Sequence, residues 1–88
     1  MLTLNSIEVK IVRVWSEQAE SSPFPQEQSV VRRLKQNPSN LSMTFSRKEL
    51  EVILHWGETE TRGHHGLDQY LLEIEAALFE KINGYLNQ

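Results

Sequence analysis

The period of hydrophobic and polar positions changes along this chain of 88 residues, and it predicts strands in the first half and helices in the second. Residues 7–15, IEVKIVRVW, are dense in β-branched side chains and predict the first strand. Their apolar positions shift phase at Ile11 and Val12, as in a strand covered on both faces at its end or in a β-bulge. Residues 41–46 alternate between apolar and polar positions and predict a half-buried strand.

The segments between these two strands are less clearly patterned. Residues 16–28 are polar except for Phe24, which stands between two prolines, and they predict a long loop. Residues 29–36 fit a strand paired with residues 41–46 across a turn at 37–40, but they also fit one face of a helix. The strand is the favoured interpretation.

The second half of the chain begins with a helix-start signal. Ser46 and Glu49 have the spacing of a capping box, so a helix is predicted from residue 47. The alternating apolar residues of 50–56 would also fit a strand. Either Gly57 or Gly63 could follow the last turn of the helix.

The last segment, residues 67–87, has the clearest pattern and predicts an amphipathic helix about 30 Å long. Its apolar residues recur every three or four positions: Leu67, Leu71, Ile74, Leu78, Ile82 and Tyr85. A second stripe beside them widens the apolar arc beyond what one packed neighbour needs. We therefore expect a partner-binding surface made of Leu72, Phe79 and Leu86, with Phe24 of the loop as a further anchor.

Glu75 interrupts this apolar arc. Burial of an isolated carboxylate in an apolar surface costs free energy. Glu75 must therefore be paired with a cation, hydrogen-bonded, or located at a solvent-exposed edge of that surface. If Glu75 is buried, it becomes the candidate for a functional acid or a specificity pair.

Together these elements predict one α+β domain over residues 1–88. Residues 1–46 are expected to be mainly β, with the loop at 16–28, and residues 47–88 mainly helical. The predicted architecture is a mostly antiparallel sheet of about three strands with a C-terminal helical pair packed on it. The order is βββαα, with βαβαα as the alternative.

Charge is divided unevenly along the chain. Residues 1–48 carry seven basic and four acidic side chains, whereas residues 49–88 carry two basic and eight acidic ones. A basic patch in the first half suggests nucleic-acid binding as an alternative function, through Arg32, Arg33, Arg47 and Lys48. The isoelectric point of about 5.6 and the lack of a basic run weigh against it.

The histidines suggest a second alternative, a small-molecule or metal site at the turn that contains His64 and His65, joined by His55. Adjacent histidines on an ordinary turn point apart, and no carboxylate is placed with them. A solvent-exposed turn is therefore the simpler interpretation.

No catalytic motif or cofactor-binding pattern stands in the sequence, so neither enzymatic activity nor a cofactor is expected. The absence of cysteine excludes disulfides and thiolate chemistry. With no signal-peptide pattern and no apolar run of about 18 residues, a cytoplasmic protein that does not enter the membrane is expected. The leading hypothesis is a protein-interaction module, either a homodimer or the partner of another protein.

Overall fold

A computed structural model describes residues 1–37, 41–62 and 69–88 of the chain, with the backbone alone at residues 60–62 and 69–72. The protein is α+β and mostly helical, and a single turn of 3-10 helix at Glu17–Ala19 follows the first helix. Its elements in chain order are β1 (Leu2–Leu4), α1 (Ser6–Ser16), α2 (Pro25–Lys35), β2 (Met43–Phe45), α3 (Arg47–Arg62) and α4 (Gln69–Leu86).

Residues 7–15 belong to α1, so the predicted first strand was wrong. A capping box starts this helix: the Asn5 N–H donates to Glu8 Oε1 (2.8 Å), and the Glu8 N–H donates to Asn5 Oδ1 (2.9 Å). β-branched residues are only slightly unfavourable in helices, and tertiary packing overrides that preference. The buried residues of α1 follow a helical period: Val9, Ile11, Val12, Trp15 and Ser16.

The strand favoured at residues 29–36 was also wrong, because this segment forms most of α2. Pro25 occupies the first turn, where its missing N–H costs nothing. Val30, Val31 and Leu34 form the buried face, as in the helical alternative. The described residues contain two strands. The elements follow one another in the order β1–α1–α2–β2–α3–α4, and not in the predicted order βββαα or its alternative βαβαα.

The sheet is an antiparallel pair of β1 and β2, with Leu2 opposite Phe45 and Leu4 opposite Met43. Between them, the hydroxyls of Thr3 and Thr44 are hydrogen-bonded at 2.7 Å on the exposed side. The strand predicted at 41–46 is thus confirmed in its centre. Two helices are inserted between the paired strands, so the sheet joins the start of the chain to its middle.

The second half of the chain follows the sequence pattern closely. The capping box predicted before α3 is present, since the Ser46 N–H donates to Glu49 Oε1 (2.8 Å) and the Glu49 N–H to Ser46 Oγ (3.2 Å). The helix runs through Gly57 without stopping, and Gly63 lies outside the described residues. The predicted last helix is confirmed as α4.

One hydrophobic core joins all four helices and the sheet. Each helix and the sheet contribute large, fully buried side chains to it, among them Trp15 of α1, Leu34 of α2, Phe45 of β2, Trp56 of α3 and Ile82 of α4. None of the helices, over the residues described, combines the length and apolar character needed to cross a membrane.

Candidate functional site

The predicted partner surface on α4 is largely covered by the protein's own core. Leu78 and Ile82 are buried, and Phe79 stacks on Trp15 with a centroid distance of 5.2 Å and an interplanar angle of 28°. Leu86 packs at the edge of the same core. The side chain of Leu72 lies outside the described residues. Among the side chains that the structure describes, the apolar arc of α4 therefore packs mainly within one chain.

Glu75 is buried, with 1% of its surface exposed. Trp15 Nε1 donates a hydrogen bond to Glu75 Oε1 over 3.1 Å, so this carboxylate joins α4 to α1. Such a bond satisfies the indole N–H, which has no access to water. The described contacts of Glu75 thus give it a role in core packing.

Some of the residues predicted to bind nucleic acid make contacts within the fold. Arg33 forms an ion pair with Glu49 (2.6 Å), donates to the Thr44 carbonyl oxygen (2.9 Å), and lies over the Phe45 ring, 5.1 Å from its centroid. These contacts fasten α2 to the sheet and to the start of α3.

Arg47 donates to the Leu86 carbonyl oxygen at the end of α4. Arg32 on α2 and Lys48 on α3 are exposed. Two of the four basic side chains, Arg33 and Arg47, are therefore held by contacts within the fold.

His55 is exposed on α3, while His64 and His65 lie outside the described residues. Within the part of the chain that the structure describes, no group of three or more His, Cys, Asp or Glu side chains has the geometry to hold a metal ion. The structure instead assigns His55 to a groove on the protein surface.

This groove lies between the start of α2 and the first half of α3, and its volume is about 550 Å³. It is lined by Phe24, Gln26, Glu27, Lys48, Glu51, Val52 and His55. We call it the α2–α3 groove. A smaller cavity of about 140 Å³ continues it, and its lining adds Ser29 and Glu49.

The helical period of α3 explains why four of its residues share the groove. At about 100° per residue, Lys48, Glu51, Val52 and His55 fall within an arc of about 100° on one side of the helix. Val52 is half-buried at the groove floor, and the other three are exposed. The α3 wall therefore combines one apolar residue, Val52, with side chains of both charge signs.

The two helices that form the groove run antiparallel. Trp56 Nε1 donates to Glu27 Oε1 (2.8 Å), which fastens the start of α2 to the middle of α3. The ion pair of Arg33 with Glu49 fastens the end of α2 to the start of α3. Phe24, just before α2, therefore lies at the His55 end of the groove, and the smaller cavity lies at the Lys48 end.

Phe24 is an exposed aromatic residue, 62% accessible, on a segment with many internal hydrogen bonds. Gln28 Nε2 donates to the carbonyl oxygens of Ala19 (3.2 Å), Glu20 (3.2 Å) and Ser22 (2.6 Å). The Phe24 N–H donates to Ser22 Oγ (3.2 Å), and prolines fix the backbone on both sides. The fold thus presents this ring to solvent from a restrained backbone.

Glu49 lies at the Lys48 end of the groove, and the protein environment shifts its pKa. Burial by itself would raise its pKa, but the Ser46 N–H and the Arg33 guanidinium stabilise the carboxylate more, so the pKa lies below its ordinary value of 4.5. Glu49 is therefore ionised at neutral pH and holds α3 to α2.

The sequence pointed to Phe24, Lys48 and His55 separately, as parts of three different hypotheses. The structure brings these three side chains to one groove. Sequence reasoning missed Gln26, Glu27, Glu51 and Val52 as lining residues. The spacing of Lys48, Glu51 and His55 on one helical face was a usable signal for the α3 wall, whereas nothing local indicated that α2 lies beside it.

No protein-family model, curated protein or solved structure matches the chain.

Proposed function

We propose that this protein is a small, non-enzymatic protein-interaction module and that the α2–α3 groove is its binding surface. The observation that carries the proposal is Phe24, an aromatic ring 62% exposed at the mouth of a groove of about 550 Å³. Aromatic residues that fill pockets supply most of the energy of protein interfaces. A partner would cover this ring and place an apolar side chain on Val52.

The restrained backbone around Phe24 supports this proposal. Association costs free energy when mobile groups must be ordered, and a preorganised anchor reduces that cost. The Gln28 hydrogen bonds and the flanking prolines hold the loop in one conformation before any partner arrives.

The charges of the groove favour a protein over a nucleic acid as partner. Lys48 is its basic member, and Glu27 and Glu51 are its acidic members. A phosphate backbone requires an excess of positive charge. A polypeptide with side chains of both signs fits the mixed lining, and we place this interaction in the cytoplasm, where a cysteine-free chain is at no disadvantage.

Selection of peptides from a random display library on the immobilised full chain tests the proposal. We expect enriched peptides with aromatic or aliphatic anchors, whose binding is lost on the Phe24→Asp variant. This substitution should leave the fold intact, because Phe24 is exposed at the N-cap position of α2, where Asp is a favourable residue.

The matched control is Leu41→Asp, which changes another exposed apolar residue (64% accessible) outside the groove lining. Selected peptides should bind this variant as they bind the original chain. Peptides that bind Phe24→Asp unchanged would contradict the assignment of the groove as the binding surface.

A further inference from the structure

The groove has features that complement each other. It offers a protruding ring, Phe24, at one end and a recess at the other, where the smaller cavity continues it. It also carries one exposed cation, Lys48, and one exposed anion, Glu51, one helical turn apart. Within the residues that the structure describes, neither of these two charges forms an ion pair.

From this arrangement we infer that the partner is a second copy of the chain, bound about a two-fold axis that crosses α3 between Lys48 and Glu51. The inference rests on the proposed function of the groove. A two-fold axis brings the same patch of both subunits together, so a patch can pair with itself only if it contains both members of each contact. The α2–α3 groove contains both a ring with its recess and a cation with an anion.

The two-fold axis would set the α3 helices of the two copies antiparallel. Phe24 of each copy then reaches the Lys48 end of the partner's groove, the end that its own Phe24 leaves open. The Lys48 side chain is placed to lie against the partner's ring as a cation–π contact. Lys48 and Glu51 are also placed to form two reciprocal ion pairs across the axis.

Sedimentation velocity over a range from low micromolar to millimolar concentration is the first measurement. The original chain is expected to pass from monomer to dimer within this range. Phe24→Asp should weaken dimerisation by about a hundredfold or more, because it removes an aromatic anchor from both halves of the interface. Leu41→Asp, as the control, should dimerise like the original chain.

A charge-reversal experiment tests the arrangement itself. Lys48→Glu and Glu51→Lys each place like charges opposite one another in a homodimer and should each weaken it on the order of tenfold. An equimolar mixture of the two variants should restore dimerisation, because one copy then supplies only anions and the other only cations. Lys10→Glu, a reversal on the exposed side of α1, should have no effect.

The outcomes separate this inference from the proposed function. A chain that stays monomeric at millimolar concentration but binds peptides in a Phe24-dependent manner contradicts the second copy and leaves the groove as a binding surface. A dimer that persists in Phe24→Asp uses another face and overturns the inference. A Phe24-dependent dimer that the mixed variants do not restore overturns the two-fold arrangement.

Discussion

Gly57 lies where α3 packs tightly against aromatic rings of α1 and α4. A Cβ atom at this position would lie 2.8 Å from Phe79 Cζ and 2.8 Å from Trp15 Cζ3, well inside van der Waals contact. These two rings are stacked on each other, and Trp15 is fully buried, so its ring has little room to move aside. Gly57 is therefore required by packing, although glycine weakens the interior of a helix.

We expect Gly57→Ala to destabilise the protein by about 1–3 kcal/mol, because the cost of overpacking exceeds the gain in helix propensity. Thermal and urea unfolding measure this difference. The matched control is Gly84→Ala in α4, where an added Cβ has no neighbour within 4 Å. That substitution should stabilise the protein by about 0.5–1 kcal/mol. Equal effects of the two substitutions would contradict the close packing at Gly57.

Glu75 is the second residue whose environment makes a sharp prediction. Replacement by Gln keeps an oxygen that can accept the Trp15 N–H, and it should change stability little. Glu75→Ala leaves a cavity and takes away this acceptor, so we expect a loss of about 2–4 kcal/mol in the free energy of unfolding. Equilibrium urea denaturation followed by tryptophan fluorescence compares the two variants; similar losses would argue against the hydrogen bond as the important contact.

At the scale of elements, the start of α3 depends on an ionised Glu49. Its pKa is lower in the folded protein than the ordinary value of 4.5, so its stabilising contribution is present above that value. The contribution is lost as the pH falls from about 4.5 through the lower pKa of the folded state. Acid should therefore loosen the junction of α2, β2 and α3.

Glu49→Gln tests this pH dependence. At neutral pH the variant should be less stable by about 1 kcal/mol, because the ion pair with Arg33 is lost while the cap is weakened. The difference between the two proteins should shrink as the pH falls below about 4.5. Urea unfolding at a series of pH values measures it. A difference that stays constant down to strongly acidic pH would rule out this role of the carboxylate.

The end of α2 is stabilised by a side chain from another helix. Arg13 of α1 donates to the carbonyl oxygens of Leu34 (2.9 Å), in the last turn of α2, and of Asn37, just beyond the helix. A cation at this end of a helix satisfies free carbonyl groups and interacts favourably with the helix dipole. Arg13 thus acts as a C-terminal cap supplied through tertiary structure.

Arg13→Met should remove this cap while it keeps most of the aliphatic stem. We expect a loss of about 1–2 kcal/mol in global stability. Faster hydrogen exchange should be concentrated in the last turn of α2. Arg32→Met, an exposed position on the same helix, serves as the control and should change neither quantity. Uniformly faster exchange over the whole chain would contradict a local capping role.

At the scale of the whole molecule, the single core predicts cooperative unfolding. Trp15 connects α1 to α4, and Trp56 connects α3 to α2, so the two tryptophans report on all four helices. Small domains with one core usually unfold in one step. We expect urea transitions measured by tryptophan fluorescence and by far-ultraviolet circular dichroism to coincide. Separate midpoints would show that part of the chain unfolds independently.

Several elements were predictable from local sequence because local interactions stabilise them. The Ser46–Glu49 capping box and the apolar period of α4 predicted α3 and α4. The Asn5–Glu8 capping box was equally visible and would have identified α1 as a helix. The prediction gave more weight to the β-branched residues of 7–15. In the folded protein their preference for strands is weaker than the stabilisation gained when one face of the helix is buried.

The candidate site was predictable only in part, because it depends on contacts between distant residues. Phe24 stood out as an unusual aromatic residue between prolines, and this pattern needs no tertiary information. The groove beside it forms where α2 packs against α3. One contact between these helices is the hydrogen bond from Trp56 to Glu27, which lie 29 residues apart in sequence. No local rule predicts that contact, so the packing of α2 beside the α3 wall of the groove could not be assigned from the sequence.

For the long final helix, too, local sequence predicted one part of its structure and contacts with distant residues decided the other. The sequence by itself determined that it is amphipathic and that Glu75 interrupts its apolar face, because both facts follow from the helical period alone. Only the tertiary structure decided what that face contacts. The Trp15 indole stacks on Phe79 and donates a hydrogen bond to Glu75. Leu78 and Ile82 are buried in the core. Periodicity fixes which side chains share a face, but the identity of the neighbour depends on how distant segments pack, and that packing buried Leu78 and Ile82 of α4 while it left Phe24 exposed.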